Sequence, residues 1–333
     1  MIWSEADLVV AALAVLLALA VDRWLGEPPV RLHPVVWIGH YLGWAGQRIA
    51  PAAGIPLPQR DLAAFARGAI AWCAGAILAI TVALALQLGL QRLPAWGQLI
   101  ALGLLLKPLL AWSMLKSEVL AVEAALSVSL QQGRGRLSWL CSRDTSVLSE
   151  SQVRETALES LAENLNDSVV APLFWFALAG LPGAALYRFA NTADAMWGYR
   201  GERSGRVWEW AGKWAAHADD LLSWLPARLT ALLLALAAGG LSLVRLRREA
   251  RVTPSPNGGW PMGAMALALG VRLGKPGVYT LNATGQPPGP HDTDRACALA
   301  GRALGLIRFS LLILLLTQFL LPSPWPTDGG QHG

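Results

Sequence analysis

Residues Arg154 to Trp175 read RETALESLAENLNDSVVAPLFW, a polar helical stretch that leads straight into an apolar run. Within it Glu155, Glu159, Glu163 and Asp167 recur every four residues. On an α-helix this spacing puts neighbouring carboxylates on one face, drifting by ~40° per step, and like charges so placed repel. Arg154 lies off the stripe, so the compensation comes from a bound divalent cation, an arginine of another segment, or solvent. Mg²⁺ is held by one or two carboxylates together with substrate phosphates, which suits the stripe if it faces a cleft. A solvated acidic face is the plain alternative. Glu163, Asn164 and Asp167 stand within a few residues of the apolar run, where idle charge is costly, and that favours a ligand-binding stripe.

A second polar cluster runs from Arg188 to Arg228 and contains RFANTADAMWGYRGER and HADDLLSWLPARLTALL. Asn191 and Asp194 share a helical face. Asp219 and Asp220 precede an apolar helix, where acidic residues often serve only as dipole partners. Arg200 and Arg203 suit a phosphate clamp or follow the positive-inside bias. Arg228 lies two turns inside its run, where an ionisable side chain either faces a partner or ligand or snorkels to the interface. A third stretch, SPNGGWPMGAMALALGVRLGKP (255–276), sets Asn257-Gly258-Gly259, free to take positive φ, before Pro261 in the first turn of a helix. Amides converging on an open helix N-terminus bind anions, although such a turn is also common punctuation. GVRLGK (270–275) is not a Walker A motif, because its spacing is wrong and Pro276 stands where Ser or Thr must be. The fourth stretch, VDRWLGEPPVRLHPVVWIGHYL (21–42), offers Asp22 and Arg23 as a local ion pair and Glu27-Pro28-Pro29 as a turn. His33-Pro34 would start an interfacial helix carrying Trp37, Tyr41 and Trp44; a lone histidine there reads as structural.

The elements that must position these groups are membrane helices. The chain has 333 residues, 54% of them hydrophobic and only 15% charged, against about a quarter charged in ordinary soluble proteins. Apolar runs cover roughly 8–21, 69–90, 99–115, 169–186, 221–244 and 304–321, each near the ~20 residues that cross hydrocarbon. The expected architecture is a single all-α polytopic membrane domain of five or six hydrophobic helices, with polar helical loops forming the site and a loose tail at 322–333. The first run is as long as a signal-peptide core, but Glu5 and Asp7 stand where basic residues belong, so it reads as a retained helix. Trp24, Trp96, Trp112, Trp175, Trp224 and Trp325 lie near run ends, where indoles favour the headgroup level. Basic loops 22–68 and 116–168 set the N-terminus outside and those loops inside. Segments 187–220 and 245–302 are both basic yet flank the run 221–244, so either 169–186, interrupted by Pro172, Gly180, Pro182 and Gly183, or 221–244, interrupted by Pro226, Gly239 and Gly240, is broken or re-entrant. Segment 282–294 reads as a loop. Three cysteines without CxxC or a Cys/His cluster support neither zinc nor a disulfide framework. A net charge of +5 suits anionic lipid or ligands, and nucleic acid would call for a denser basic stripe.

Six blocks in order, DRWLGEPPVRLHPVVWIG (22–39), SRDTSVL (142–148), ESLAENLNDSVVAPLFW (159–175), YRFANTADAMWGYR (187–200), ADDLLSWLPARLTALL (218–233) and SPNGGWPMGAMALALGVRLG (255–274), resemble the CobD/CbiB family of cobalamin biosynthesis, the adenosylcobinamide-phosphate synthases. The likeness covers nearly the whole chain. It implies an ATP-dependent ligase of the bacterial inner membrane, its site facing the cytoplasm, joining a propionate carboxylate of adenosylcobyric acid to (R)-1-amino-2-propanol O-2-phosphate or a related amino-alcohol. ATP and Mg²⁺ are the implied co-substrate and ion; corrinoid, amino-alcohol phosphate, lipid and other cobalamin-assembly enzymes are the implied partners. Phosphoryl transfer depends on positioning and charge neutralisation. On that footing Glu159, Glu163 and Asp167 are expected to hold metal, and Asp194, Asp219 or Asp220 to take the ammonium proton. Asp22, Arg23, His33, Arg143, Asp144, Asn164, Asn191, Arg200, Arg228, Ser255, Asn257, Gly258, Gly259 and Trp260 are expected around substrate and phosphate. A regulatory membrane protein on the same scaffold, or a transporter of an anionic solute, is the reading of another class; no paired inverted halves are visible.

Overall fold

The computed structural model describes residues 5–54 and 58–320, and the expected tail at 322–333, with Trp325, lies outside the described residues. The helices are α1 (Glu5–Leu25), α2 (Pro34–Ile49), α3 (Leu62–Leu90), α4 (Ala95–Leu106), α5 (Trp112–Val128), α6 (Leu130–Leu137), α7 (Glu150–Leu165), α8 (Ala171–Trp197), α9 (Lys213–Ala237), α10 (Leu243–Ala250), α11 (Gly259–Leu269) and α12 (Pro290–Leu320). Two short antiparallel hairpins interrupt them: β1 (Glu202–Arg203) with β2 (Arg206–Val207), and β3 (Leu273–Lys275) with β4 (Tyr279–Leu281). The loop expected over 282–294 ends early, because α12 already begins at Pro290.

Local chemistry sets the helix starts. Asp61 accepts from the Ala64 amide to cap α3, and Ser149 with Gln152 forms a reciprocal capping box on α7. Six helical stretches are long and apolar enough to cross a membrane: Asp7–Leu25, Leu62–Leu90, Ala95–Val128, Glu150–Trp197, Lys213–Ala237 and Pro290–Leu320. This is the fold expected from the six runs. The run 99–115 is nevertheless not one smooth helix, since a 3₁₀ turn at Lys107–Leu109 separates α4 from α5.

Two of the six stretches return to the side they started from. In α8 the backbone leaves helical geometry at Ala179 and Gly180, and Gly180 takes φ 65° and ψ −155°, a region that essentially only glycine occupies. A straight helix would hold residues 168 and 188 about 30 Å apart, yet Arg188 Nη1 donates to Ser168 Oγ at 3.2 Å and Tyr187 Oη to Asp167 Oδ1 at 3.3 Å. Residues 171–178 therefore descend, reverse at 179–180, and return as 181–197. Gln87 near the far end of α3 holds the reversal, its Oε1 accepting the Leu181 amide at 2.7 Å. Helix α9 also stays on its own side. Arg228 bonds Asn257 and Pro256, leaving nine residues of α9, about 14 Å, beyond it, half the ~30 Å of hydrocarbon. The segment that follows touches the other basic loops, with Arg272 on Glu155 and Thr293 on Glu123. Basic segments 116–168, 187–220 and 245–302 thus share one face, which resolves the conflict left by charge bias alone.

Trp24, Trp96 and Trp224 are exposed at 76%, 70% and 53%, as interface rings would be. Trp112 and Trp175 are not: Trp112 is buried at the start of α5, and Trp175 donates from its indole to the Leu222 carbonyl inside the fold.

Candidate functional site

The site forms where α7, both limbs of α8, α9 and the Ser255–Trp260 turn converge. The four-residue acidic stripe is real, but its members meet different partners. Glu155 and Glu159 are buried, and arginines of other segments answer them: Arg272 Nη2 on Glu155 Oε1 at 3.3 Å, and Arg143 Nη2 on Glu159 Oε2 at 3.0 Å. Arg143 also donates to Thr156 Oγ1. Of the three origins open for the compensating charge, these two carboxylates use the second. Glu163 is exposed to the cleft and has no hydrogen bond or ion pair among the described residues; its carboxylate lies against Gly258. A five-residue π-turn, Asn166–Val170, follows α7, and such turns gather at functional sites. It aims Asp167 at the α8 return limb, where Asn166 Nδ2 and Tyr187 Oη donate to it at 2.8 and 3.3 Å.

The hairpin brings Asn191 and Asp194 to this carboxylate, and α9 adds Asp219, whose Oδ1 receives Asn191 Nδ2 at 3.5 Å. Asp167, Asp194, Asp219 and Asp220 lie close enough to feel one another's charge, and Glu163 is coupled to Asp167 and Asp194. The cations nearby do not neutralise this group by ion pairs. Arg188 donates to the Asp167 carbonyl and Ser168 Oγ, with its Nε unpartnered. Arg200 is exposed near Asp220.

Two turns further along α9, Arg228 donates to Asn257 Oδ1 at 2.8 Å, to the Trp224 and Pro256 carbonyls, and stacks between Trp224 and Trp260, 4.4 and 5.0 Å from the ring centroids. It does not snorkel free, and no carboxylate pairs with it among the described residues. Asn257 Nδ2 binds the Asp220 carbonyl, joining its turn to α9. The glycine turn works differently from the expectation. Gly258 keeps φ −56°; Gly259 is needed because a Cβ there would strike the Ala250 carbonyl and Thr253. The amides of Asn257 and Gly258 are already taken by Ser255 Oγ at 3.2 and 3.1 Å, so the turn does not present those two to an anion.

Several expected residues lie elsewhere. Asp22 does not pair with Arg23, which is exposed; it is 1% exposed itself and meets Lys107 Nζ at 3.4 Å and the Ser113 amide at 2.8 Å, because the 3₁₀ turn after α4 delivers Lys107 to the end of α1. His33 caps α2 through Nδ1 and meets Glu27 through Nε2, the structural role its residue type suggested. Asp144 is exposed and accepts the Ser146 hydroxyl and amide, which hold its carboxyl below the usual range. Asn164 turns back to the Ser160 carbonyl.

Other members of the site were not singled out from sequence. Tyr187 and Arg188 carry the signal in retrospect, since Tyr187, Asn191 and Asp194 recur on one helical face. Tyr279 of the β3–β4 hairpin lies near Glu159 with its hydroxyl donating to Met262 Sδ at 3.8 Å, and burial, then the Glu159 charge, push its phenol far above the ordinary value. No local pattern announces it. Outside the site, Lys107 is a lone cation inside an apolar run, the kind of residue that marks a partner, and its partners are Asp22 and Glu27.

No three His, Cys, Asp or Glu side chains converge into a closed metal cage among the described residues. The unneutralised carboxylates of Glu163 and Asp167 fit the open kind of site that Mg²⁺ completes with phosphate oxygens; Glu159 already has Arg143.

Residues 15–304 match the family described as CobD/Cbib protein. The chain belongs to that family. Relatives include the "Probable cobalamin biosynthesis protein CobD" of Methanothermobacter thermautotrophicus, 40% identical over 89% of this chain and 94% of the relative. The "Cobalamin biosynthesis protein CobD" of Rhodobacter capsulatus is 38% identical over 88% and 94%, and that of Chromobacterium violaceum 40% over 89% and 94%. No solved structure matches the chain. The family match spans the acidic stripe, the α8 hairpin and Arg228 together.

Proposed function

We propose that this membrane protein serves cobalamin biosynthesis as an ATP-dependent amide ligase, joining a propionate carboxylate of adenosylcobyric acid to (R)-1-amino-2-propanol O-2-phosphate or a related amino-alcohol. The family and the names of its relatives support the pathway. The observation that carries the reaction class is the gathering of Glu163, Asp167, Asp194 and Asp219 within reach of one another's charge, with Glu163 against the Asn257–Gly258 turn to which Arg228 is bonded without a carboxylate partner among the described residues. Such a site suits a reaction that handles an ammonium and several phosphates at once.

A carboxylate is a poor acyl donor because its leaving group would be oxide. Its oxygen attacks the terminal phosphorus of ATP and ADP leaves; the amine nitrogen then attacks the acyl carbon, the C–O bond breaks, inorganic phosphate departs and the amide remains. Asp194, Asp219 or Asp220 takes the proton shed by the attacking ammonium. Arg228 and Arg200 hold phosphate oxygens, while Arg143 keeps Glu159 in place. Mg²⁺ bound with the nucleotide would lower the phosphate charge, and Glu163 and Asp167 would hold it. The three basic segments on one face support a cytoplasmic orientation of this cleft.

The test is conversion by purified protein in detergent. ATP should be consumed and adenosylcobyric acid converted only when the aminopropanol phosphate is added. Glu163→Gln should abolish synthesis while the protein stays in the membrane. No product, with uptake of corrinoid into vesicles instead, would replace ligation by transport.

A further inference from the structure

Away from the cleft, on the other side of the α8 return limb, a groove of about 650 Å³ opens between α1, α2, α3, α4 and α8, within the ~300–1,000 Å³ typical of ligand sites. One wall is a single face of α3, Gly75, Leu78, Ala79, Val82, Ala83 and Leu86, spaced at one helical repeat and running ~16 Å. That length is about one leaflet of the ~30 Å hydrocarbon core. Leu78, Val82, Leu86 and Leu104 remain 57%, 50%, 44% and 51% exposed along the opening, and they lie on membrane-crossing helices, so the groove opens to lipid.

The groove is closed where Leu181 meets Gln87, and its lining includes two charged residues, Glu27 and Lys107. The Lys107 side chain is only 4% exposed, with Nζ 2.7 Å from Glu27 Oε2, which also meets His33 Nε2 at 3.2 Å, while Glu27 Oε1, like Lys107 Nζ and Asp22 Oδ1, is buried with no hydrogen-bond partner among the described residues. An orphaned carboxylate oxygen calls for a donor.

We propose that this groove seats one acyl chain of a bilayer phospholipid whose headgroup donates a hydrogen bond to Glu27 Oε1. The apolar length matches one leaflet, which a chain fills and a crossing helix, twice as long, does not. An ethanolamine ammonium supplies the donor; a choline, whose nitrogen bears no hydrogen, does not.

The experiment is lipid retention by the full-length protein after detergent purification, read by native mass spectrometry. Wild type and Leu84→Trp, on an α3 face outside the groove, should each retain one phospholipid. Ala79→Trp and Val82→Trp should lose it at least tenfold while melting within a few degrees of Leu84→Trp. Stripped wild type should reload phosphatidylethanolamine at least fivefold more than phosphatidylcholine, and Glu27→Gln should narrow that ratio. Equal retention across the three tryptophan variants, no lipid on wild type, or equal loading of the two headgroups would overturn the assignment.

Discussion

Replacing Arg143 by methionine would strand the Glu159 carboxylate. Glu159 is 1% exposed, Arg143 is its one ion-pair partner among the described residues, and its Oε1 already lacks a hydrogen bond. Breaking a buried pair from one side costs ~3–5 kcal/mol, chiefly because a charge is left uncompensated. Arg143 is itself 19% exposed, so water can replace part of what it gives, and the lower end, about 3 kcal/mol, applies. Glu159→Gln removes the charge instead and should cost about 1 kcal/mol, the scale of a lost hydrogen bond. The double variant should behave like Glu159→Gln alone, because methionine then faces a neutral amide. The coupling energy is then about 3 kcal/mol in magnitude, at the upper end of the range for residues in direct contact. Thermal unfolding in one detergent at one scan rate, followed by tryptophan fluorescence, reads this out. Arg143→Met should melt on the order of 5–10 °C lower and the double variant only a few degrees lower. A double variant that falls by the sum of the two singles would refute the reasoning, since the side chains would then be acting independently.

Gly180→Ala should destabilise by about 1–3 kcal/mol, because alanine does not tolerate that backbone geometry and its Cβ would press on Gln87; a melting temperature equal to wild type would mean the hairpin tip is not built this way. Glu209→Cys and Arg248→Cys, both exposed and on either side of α9, should react with an impermeant maleimide from the same face of sealed vesicles when the native cysteines are removed. Labelling from opposite faces would show that α9 crosses. Burial pushes the Cys141 thiol above its ordinary value; only the thiolate reacts, so near neutral pH it should label more slowly than a free cysteine, and its rate should still climb at pH values where the free thiol has levelled off. Peptide mapping of the label against pH measures this, and a rate already saturated near neutral pH would contradict it.

The six apolar runs were legible because hydrophobic length and charge scarcity are local properties of the chain. The acidic stripe was legible for the same reason, since helical spacing follows directly from residue numbers. Its partners were not: Arg143 and Arg272 reach Glu159 and Glu155 from 16 and 117 residues away. Asp22 illustrates the limit, because the neighbouring Arg23 is the obvious mate in sequence while the 3₁₀ turn after α4 supplies Lys107. The NGG turn was recognised, yet the role of its glycines was decided by how closely Ala250 approaches.

By itself, then, the sequence determined a helical membrane protein of the CobD/CbiB type and the residue types its cleft can draw on. Only the tertiary structure decided which of them meet. The decisive element is the reversal at Gly180, which returns Tyr187, Arg188, Asn191 and Asp194 beside Asp167. Helical periodicity predicts faces but not reversals, and a continuous helix would have carried those groups to the far side of the bilayer.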